Sequence, residues 1–235
     1  MEIIKLQTTD GVIIIGDFIQ TNGAKKAVLL LHMMPETRGS WIPLSTELNK
    51  AGLATLAIDL RGHGESVQKS GIGNQESEKI DYKKFSDAEH QASRLDVDAA
   101  MNFLKSKGFA EENISVAGAS IGANLALDAM HRYGKIPQGV LLSPGLDYRG
   151  VLTESAMKQL SANQGEWRSQ RGWPGPQKVW IIAAQGDEYS AQSTLTLAKL
   201  QPNISKTTIF SGSDHGTNLF KSQDTLIQDI VKFFR

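Results

Sequence analysis

The sequence predicts an α/β fold: a mostly parallel sheet of about eight strands, with an antiparallel hairpin at its N-terminal end and helices on both faces. Three observations support this prediction. A turn signal splits the first β-branched runs, the later apolar runs alternate with helix-like segments, and those apolar runs are continuous. A strand covered on both faces has no solvent side, so it shows such an uninterrupted apolar run.

The first part of the chain predicts a hairpin followed by a strand, a helix and another strand. Asp10-Gly11 separates the first two runs, and Asp-Gly is a common hairpin turn. Gly52 ends the first helix, as glycine often does. The predicted elements are strands at 3–7, 12–20, 28–32 and 53–58 and a helix at 40–51.

The middle of the chain predicts a polar, glycine-bearing loop at 61–85 and then a helix. Ser86 and Glu89 form a capping box that marks the helix start, and Gly108 ends it. One face of this helix is apolar, with Ala88, Ala92, Leu95, Ala99 and Phe103 at helical spacing. A strand at 114–117 and a helix at 121–133, closed by Gly134, follow.

The last part predicts three more strands, two more helices and one irregular stretch. The strands are at 140–143, 179–184 and 207–210, and the helices are at 190–200 and 219–234. The irregular stretch at about 144–178 carries Trp167 and Trp173. It is too short for an independent domain. We therefore expect one domain over residues 1–235, with a short irregular insert or minimal cap at about 144–178.

Composition narrows the function classes. The chain has 25 Lys and Arg against 25 Asp and Glu, so its net charge is zero and neither nucleic acid nor an anionic membrane surface is an expected partner. It contains no cysteine, which removes disulfides, thiol nucleophiles and thiolate metal sites. No signal peptide and no long apolar run is evident, so we expect a cytoplasmic protein without membrane insertion. No H-E-x-x-H pattern occurs, and neither a metal nor a cofactor is expected.

The most informative motif is Gly118-Ala119-Ser120-Ile121-Gly122, which lies between a predicted strand and a predicted helix. A G-x-S-x-G sequence in this position is typical of a nucleophile elbow, in which the serine sits on a strained turn at the end of the strand. Side chains two positions to either side would collide in that turn, so glycine is needed there. Ser120 is therefore the candidate nucleophile.

A serine nucleophile needs a base, and the base needs an orienting acid. His215 and Asp187 follow later strands in the order Ser, Asp, His, and they predict a catalytic triad with Ser120. Glu188 and Asp147 remain rival acids. Asp214 is a weaker rival because residues adjacent along the chain seldom turn their side chains toward each other.

The tetrahedral intermediate also needs backbone donors. We expect one from the N–H of Ile121, directly after the nucleophile. The second should come from the loop after the strand at 28–32, where Met34 is the first choice and Met33 the alternative.

Together with the elbow, the segment Asp59-Leu60-Arg61-Gly62-His63-Gly64-Glu65-Ser66 resembles the D-x-R-G-x-G-x-S signature of the α/β-hydrolase superfamily. The resemblance covers nearly the whole chain. It implies that this segment is structural, which leaves His63 outside the catalytic set. Residues 31–35 are similar to the H-G-x-P oxyanion loop of that superfamily, with Met33 in place of its usual glycine, and this similarity supports Met34 as a donor.

The small size and short insert resemble the carboxylesterase, feruloyl-esterase and dienelactone-hydrolase-like branches. Dienelactone hydrolases proper use a cysteine nucleophile, and this chain has none. Haloalkane dehalogenases and epoxide hydrolases of this fold carry aspartate at the elbow, so Ser120 argues against both. The resemblance implies a cofactor-independent hydrolase of small-molecule carboxylic esters. Because the insert is too short to form a large lid over a long chain, we expect short to medium acyl groups.

The alternatives are a thioesterase, amidase or peptidase with the same triad, or a non-catalytic binding protein of this fold. Trp167, Trp173 and the loop at 61–85 are candidates to shape the pocket, with Tyr148 and Tyr189 as weaker candidates. The sequence leaves the oligomeric state open.

Overall fold

The structure is a computed structural model that describes residues 1–70, 77–162 and 177–235. Ten of its twelve described strands form one mixed sheet in the order β12-β11-β8-β7-β3-β4-β2-β5-β6, with β1 paired to β2. The strands are β1 (Glu2–Gln7), β2 (Val12–Ile19), β3 (Ala27–Leu31), β4 (Ala54–Ile58), β5 (Gln68–Lys69), β6 (Glu78–Lys79), β7 (Ile114–Ala119), β8 (Gln138–Leu142), β9 (Asp147–Tyr148), β10 (Val151–Leu152), β11 (Lys178–Ala184) and β12 (Ser205–Phe210).

The mostly parallel α/β sheet is confirmed. Neighbouring strands from β4 through β3, β7, β8 and β11 to β12 run parallel, whereas β2 pairs antiparallel with β1, β4 and β5. All residues of β3, β4 and β7 are buried, as expected for strands covered on both faces. The described sheet has ten strands rather than about eight because the short strands β5 and β6 extend its edge from within the predicted loop at 61–85.

Helices cover both faces of the sheet. The helices are α1 (Ile42–Lys50), α2 (Asp87–Gln91), α3 (Arg94–Ser106), α4 (Ile121–Tyr133), α5 (Glu154–Ala162), α6 (Glu188–Leu200), α7 (Leu219–Ser222) and α8 (Leu226–Phe234). Residues of α1 and α8 pack into one apolar cluster, which contains Trp41, Leu44 and Phe234. Residues of α3, α4, α5 and α6 pack into the other. No helix among the described residues is long and apolar enough to span a bilayer.

Two helices predicted as continuous are interrupted. The capping box at Ser86 and Glu89 is present, but the helix breaks between α2 and α3, where Leu95 and Asp96 donate to carbonyls only three residues back. This tighter turn shifts the apolar face between the two segments. The terminal helix breaks at 223–225, where the backbone at Gln223 leaves helical geometry and a new helix begins at Leu226.

The stretch at 144–178 is more ordered than we expected from its sequence. Its described part contains a two-residue hairpin, β9 and β10, and the nine-residue helix α5. Ala156, Met157 and Leu160 of α5 are buried in the core, so their spacing forms one apolar face that sequence reading missed. Trp167 and Trp173 lie outside the described residues.

Candidate active site

Ser120 occupies a strained turn between β7 and α4. Its backbone has φ 53° and ψ −122°, a conformation that costs energy in a residue with a side chain. Ser120 is 7% exposed, so only a small part of it reaches solvent. The turn stands at the carboxyl end of β7, where parallel sheets commonly present functional groups.

The two glycines of the motif allow close backbone contacts on either side of Ser120. A Cβ built on Gly118 would lie 2.0 Å from the carbonyl oxygen of Gly122, and one on Gly122 would lie 2.2 Å from that of Leu31. Both distances are far below van der Waals contact. The glycines therefore let α4 dock onto β7 and also bring the elbow against the end of β3.

His215 and Asp187 form a hydrogen-bonded pair. His215 Nδ1 lies 2.7 Å from Asp187 Oδ2. Burial acts to raise the pKa of Asp187, but the hydrogen bond and charge of His215, together with the Ser190 and Ser143 hydroxyls, hold that pKa below its usual value. Asp187 thus remains an anion that can orient His215 through Nδ1 and leave Nε2 available.

The loop that carries His215 packs against the elbow. A Cβ on Gly216 would approach Ala119 Cβ to 3.2 Å and Met33 Sδ to 2.4 Å, so the residue after His215 lies beside the residue before Ser120. The Gly216 N–H also donates to Ser143 Oγ at 2.9 Å, which anchors this loop to the end of β8. Within the described chain, these contacts bring the His215 loop against the elbow, and no hydrogen bond joins Ser120 to His215.

Tyr148 joins the same group of side chains. Its hydroxyl lies 3.0 Å from Ser190 Oγ, and its ring packs edge-on to His215 with centroids 6.5 Å apart. Burial raises the pKa of Tyr148, and the hydroxyls of Ser190 and Ser120 partly oppose that rise. Tyr148 therefore stays a neutral hydroxyl beside Ser120.

Met34 and Ile121 both have backbone N–H groups without a protein acceptor in the described part of the chain. His32 controls the orientation of the peptide before Met34. His32 Nε2 accepts from the N–H of Leu60 at 2.9 Å, so Nδ1 carries the proton and donates to the Met33 carbonyl at 2.9 Å. In a trans peptide the C=O and N–H point in opposite directions, so the Met34 N–H faces away from His32.

Sequence reading missed three residues that position this site. They are His32, Ser143 and Asn124; the Asn124 side chain donates to the Val151 carbonyl at 2.7 Å and accepts from the Gly145 N–H at 3.1 Å. Asn124 thereby ties the hairpin that carries Tyr148 to α4. Asn124 gave a sequence signal as a polar residue in the apolar first turns of α4, and His32 gave one only as the histidine of the H-G-x-P-like loop. Ser143 gave none, because its partner Gly216 is distant in sequence.

None of the rival acids is hydrogen-bonded to His215 among the described residues. Glu188 is an exposed residue at the start of α6. Asp147 accepts from the Gly150 N–H at 2.7 Å in the β9–β10 turn. For Asp214 no contact with the His215 ring is present among the described residues. Tyr189, also a candidate for substrate contact, instead donates to the Asp147 carbonyl at 2.9 Å.

The segment 59–66 is a structural turn next to the site. Asp59 is fully buried and accepts from the backbone of Arg38 and Glu65 at 2.8 and 2.9 Å, and the Arg38 guanidinium pairs with it. His63 stacks on Tyr82 with centroids 3.8 Å apart. This packing accounts for the motif without a catalytic role for His63.

Comparison with known proteins adds a family and a set of structural neighbours. The sequence model of the family described as "Serine aminopeptidase, S33" matches residues 22–175, more than half of the chain. No curated protein sequence matches. A Pyrococcus furiosus esterase, Pf2001, has 19% identity and a TM-score of 0.68, over 99% of this chain and 90% of that one.

Two further structures are similar over nearly their whole lengths. The esterase RhEst1 from Rhodococcus sp. ECU1013 has 16% identity and a TM-score of 0.69, with 100% of this chain and 98% of that one covered. The α/β hydrolase GrgF from Penicillium sp. sh18 has 13% identity and a TM-score of 0.70, with 99% and 97% covered. At these identities the structural likeness shows the fold alone.

Proposed function

Because the chain belongs to the serine aminopeptidase S33 family of α/β hydrolases, we propose that it is a serine hydrolase that cleaves carboxylic esters through an acyl-enzyme on Ser120. One observation carries this proposal. His215 and Asp187 are hydrogen-bonded at 2.7 Å, and the loop that carries His215 packs against the elbow bearing Ser120. A base oriented by an acid next to a strained serine is the arrangement that activates a hydroxyl nucleophile.

The reaction follows from these groups. His215 Nε2 takes the Ser120 proton while Oγ attacks the ester carbonyl, and the N–H groups of Met34 and Ile121 stabilise the resulting oxyanion. Collapse of this intermediate breaks the ester C–O bond, and His215 gives its proton to the leaving alkoxide. Water then enters, His215 removes its proton, and hydrolysis of the acyl-enzyme returns Ser120 and releases the acid. Hydrogen bonds between nucleophile and base are often long before substrate binds.

Two cavities beside the oxyanion loop support a preference for short to medium acyl chains. One measures about 270 Å³ and is lined by Glu36, Thr217 and Phe220 among others. The other measures about 370 Å³ and is lined by Met34, Tyr82 and Phe85 among others. The first is just below, and the second at the small end of, the range for ligand sites, about 300–1,000 Å³.

The first experiment measures hydrolysis of 4-nitrophenyl acetate, butyrate and octanoate by the wild type, Ser120→Ala and Ser211→Ala. We expect turnover that is greatest for the shorter esters and a loss of at least about a thousandfold for Ser120→Ala, since the nucleophile is gone. Ser211 is exposed and lies outside the proposed machinery, so Ser211→Ala should retain activity.

A fluorophosphonate probe provides an independent readout of the same serine. We expect it to modify the peptide that contains Ser120 in the wild type and to leave Ser120→Ala unlabelled. A folded wild-type protein with neither turnover nor labelling would overturn the proposal and favour a binding role.

A peptidase is the second candidate, because the matched family is described as an aminopeptidase. Glu36 is a carboxylate in the cavity of about 270 Å³ and would suit the ammonium group of a peptide N-terminus. Turnover of aminoacyl 4-nitroanilides, compared with the matching 4-nitrophenyl esters, distinguishes the two. The peptidase would be favoured if kcat/KM is larger for the anilides than for the esters and if Glu36→Gln abolishes that difference.

A further inference from the structure

The cavity of about 370 Å³ has a composition that the proposed reaction does not require. Met34 and Pro35 line it, so it opens directly beside the proposed oxyanion donor. The half-buried rings of Tyr82 and Phe85 form an apolar wall of the cavity. Its other described lining residues are Lys83, His90 and Arg149, and none of the described lining residues is acidic. Two cationic side chains, Lys83 and Arg149, in a lining without a described carboxylate suit an anionic ligand.

His90 provides a second, independent indication. It is only 3% exposed and lines the cavity, and its ring makes no hydrogen bond to another described residue. Burial, followed by the charge of Arg149, lowers the pKa of His90, so the ring is neutral and keeps one N–H to donate. A ligand acceptor in this cavity can bond that N–H.

Arg149 is held close to the reaction centre by its backbone. It occupies the turn between β9 and β10 with φ 55°, and it directly follows Tyr148, whose hydroxyl lies beside Ser120. The next residue, Gly150, packs against the side chain of Gln91, adjacent to His90. The turn therefore fixes the backbone position from which the Arg149 side chain reaches the cavity.

The described ion pair of Arg149 leaves its donors available. Asp87 lies 3.8 Å away, and both side chains are more than half exposed. Exposed pairs at such a distance contribute little to stability. A bidentate carboxylate would make two short charge-assisted hydrogen bonds with the same guanidinium and would displace Asp87 at small cost.

We propose that this cavity binds a carboxylate carried by the substrate, so that the preferred substrates are monoesters of dicarboxylic acids. This inference rests on the proposed ester hydrolysis at Ser120. Arg149 binds the carboxylate as a fork, Lys83 adds a second positive charge and His90 donates one N–H. Tyr82 and Phe85 contact the carbon chain between the carboxylate and the scissile ester.

The test compares monomethyl and dimethyl esters of the same six- to eight-carbon dicarboxylic acids, which differ in one charge. We expect the wild type to have the larger kcat/KM for the monoesters. Arg149→Gln should lower kcat/KM for the monoesters by about ten- to a hundredfold, the effect of a lost charge-assisted bidentate bond. The same variant should lower kcat/KM for the dimethyl esters far less, because these carry no free carboxylate for the guanidinium. Arg149 is exposed, so the variant should fold, which circular dichroism checks.

Arg235→Gln is the matched control. Arg235 is an exposed arginine next to Lys26 and Gly52, which precede β3 and β4 at the opposite end of the sheet. The Arg235→Gln substitution removes the same charge and should change kcat/KM for neither class of ester. Equal effects of Arg149→Gln on monoesters and diesters, or no preference in the wild type, would overturn the inference.

Binding of free adipate by titration calorimetry tests the cavity without catalysis. We expect binding to the wild type and to Arg235→Gln and at least tenfold weaker binding to Arg149→Gln. If 4-nitrophenyl butyrate is turned over but adipate binds all three proteins equally, only the carboxylate site is wrong. If no ester is turned over, the proposed function itself fails.

Discussion

At the scale of the residue, one hydrogen bond decides which nitrogen of His215 can act as a base. Its Nδ1 faces Asp187 Oδ2 at 2.7 Å, so the proton on Nδ1 is donated to the carboxylate and Nε2 is left as the acceptor. The low pKa of Asp187 keeps that acceptor charged. In the proposed mechanism the same bond would stabilise the imidazolium formed when His215 takes the Ser120 proton.

Asp187→Asn should therefore reduce kcat for 4-nitrophenyl butyrate by about 10³- to 10⁴-fold, because the amide can hold the ring in the wrong tautomer. Asp214→Asn is the control, since Asp214 is next to His215 in sequence and makes no contact with its ring in the described structure. Steady-state kinetics of both variants provide the measurement. Equal losses in the two variants would contradict the assignment of Asp187.

His32 is the second residue whose protonation state matters. Burial, with a smaller contribution from the charge of His63, lowers the pKa of His32 to about 3. The ring is thus neutral at ordinary pH, and it accepts from Leu60 while donating to Met33. Protonation would place two donors where one acceptor is needed and would release the loop that carries Met34.

This pKa predicts a pH dependence of stability. The unfolded chain protonates His32 below its ordinary pKa of about 6.5, whereas the folded chain does so only near 3. The contribution of neutral His32 to the free energy of unfolding is therefore fully present above about pH 6.5. Between these values the unfolded state binds one extra proton, so the free energy of unfolding falls by about 1.4 kcal/mol per pH unit as the pH drops.

Urea denaturation between about pH 5 and pH 8 measures this slope. His32→Gln keeps a donor and an acceptor but does not titrate, so its slope should be shallower than that of the wild type by close to one proton. His63 and His90 are common to both proteins and cancel in the difference. Identical slopes would show that His32 titrates normally.

At the scale of the element, the elbow depends on a close approach between the backbones of β7 and α4, which is possible because no side chain lies between them. The site forms where β7 ends and α4 begins, with the end of β3 pressed against the first turn of α4. The three loops that bear Met34, Ser120 and His215 follow the parallel strands β3, β7 and β12 of one sheet and leave it at the same edge, so strand register determines their spacing.

Gly118→Ala should destabilise the protein by about 1–3 kcal/mol or more, because its Cβ would meet the Gly122 carbonyl, which cannot rotate away. Gly39→Ala is the control: a Cβ there would have only one neighbour, Thr37 Oγ1 at 3.5 Å. Its effect should stay within about 0.5 kcal/mol. Thermal denaturation compares the two variants, and an equally stable Gly118→Ala would contradict the close approach seen at the elbow.

At the scale of the whole molecule, a buried ionic network joins three distant parts of the chain. The Arg61 guanidinium contacts Asp96 of α3 at 2.8 Å and Asp10 of the first hairpin turn at 2.8 Å. Asp96 is fully buried and also accepts from the Arg61 backbone at 2.9 Å. The hairpin, the turn after β4 and α3 are thereby fastened together beside the candidate site.

Asp96→Asn should cost about 3 kcal/mol, because it leaves the buried Arg61 charge with Asp10 as its remaining described partner. Asp98→Asn is the matched control. Asp98 lies two residues further along α3, is about a third exposed and accepts from the Arg132 guanidinium at 2.6 Å and from the Tyr133 hydroxyl at 2.8 Å. It should cost about 1 kcal/mol or less. Equal midpoints of urea unfolding for the two variants would contradict the role of the buried network.

Much of the molecule could be predicted from local patterns. The elbow strand and helix, the hairpin turn, the capping box and the buried strands depend on side-chain periodicity or on one or two residues that have restricted backbone choices, and all of these are present in the structure. The breaks before α3 and α8 and the helix α5 were missed. These depend on how each segment packs on the sheet, where burial outweighs local preference.

The sequence by itself determined the fold class and the order of the candidate catalytic residues, because glycine spacing and apolar runs act within a few residues of each other. Only the tertiary structure decided that His215 bonds Asp187 rather than Glu188, Asp147 or Asp214, that His32 orients the Met33–Met34 peptide, and that Arg149, Lys83 and His90 line one cavity. These relations join residues far apart in the chain, and their distances are set by strand register and loop packing, which no short stretch of sequence specifies.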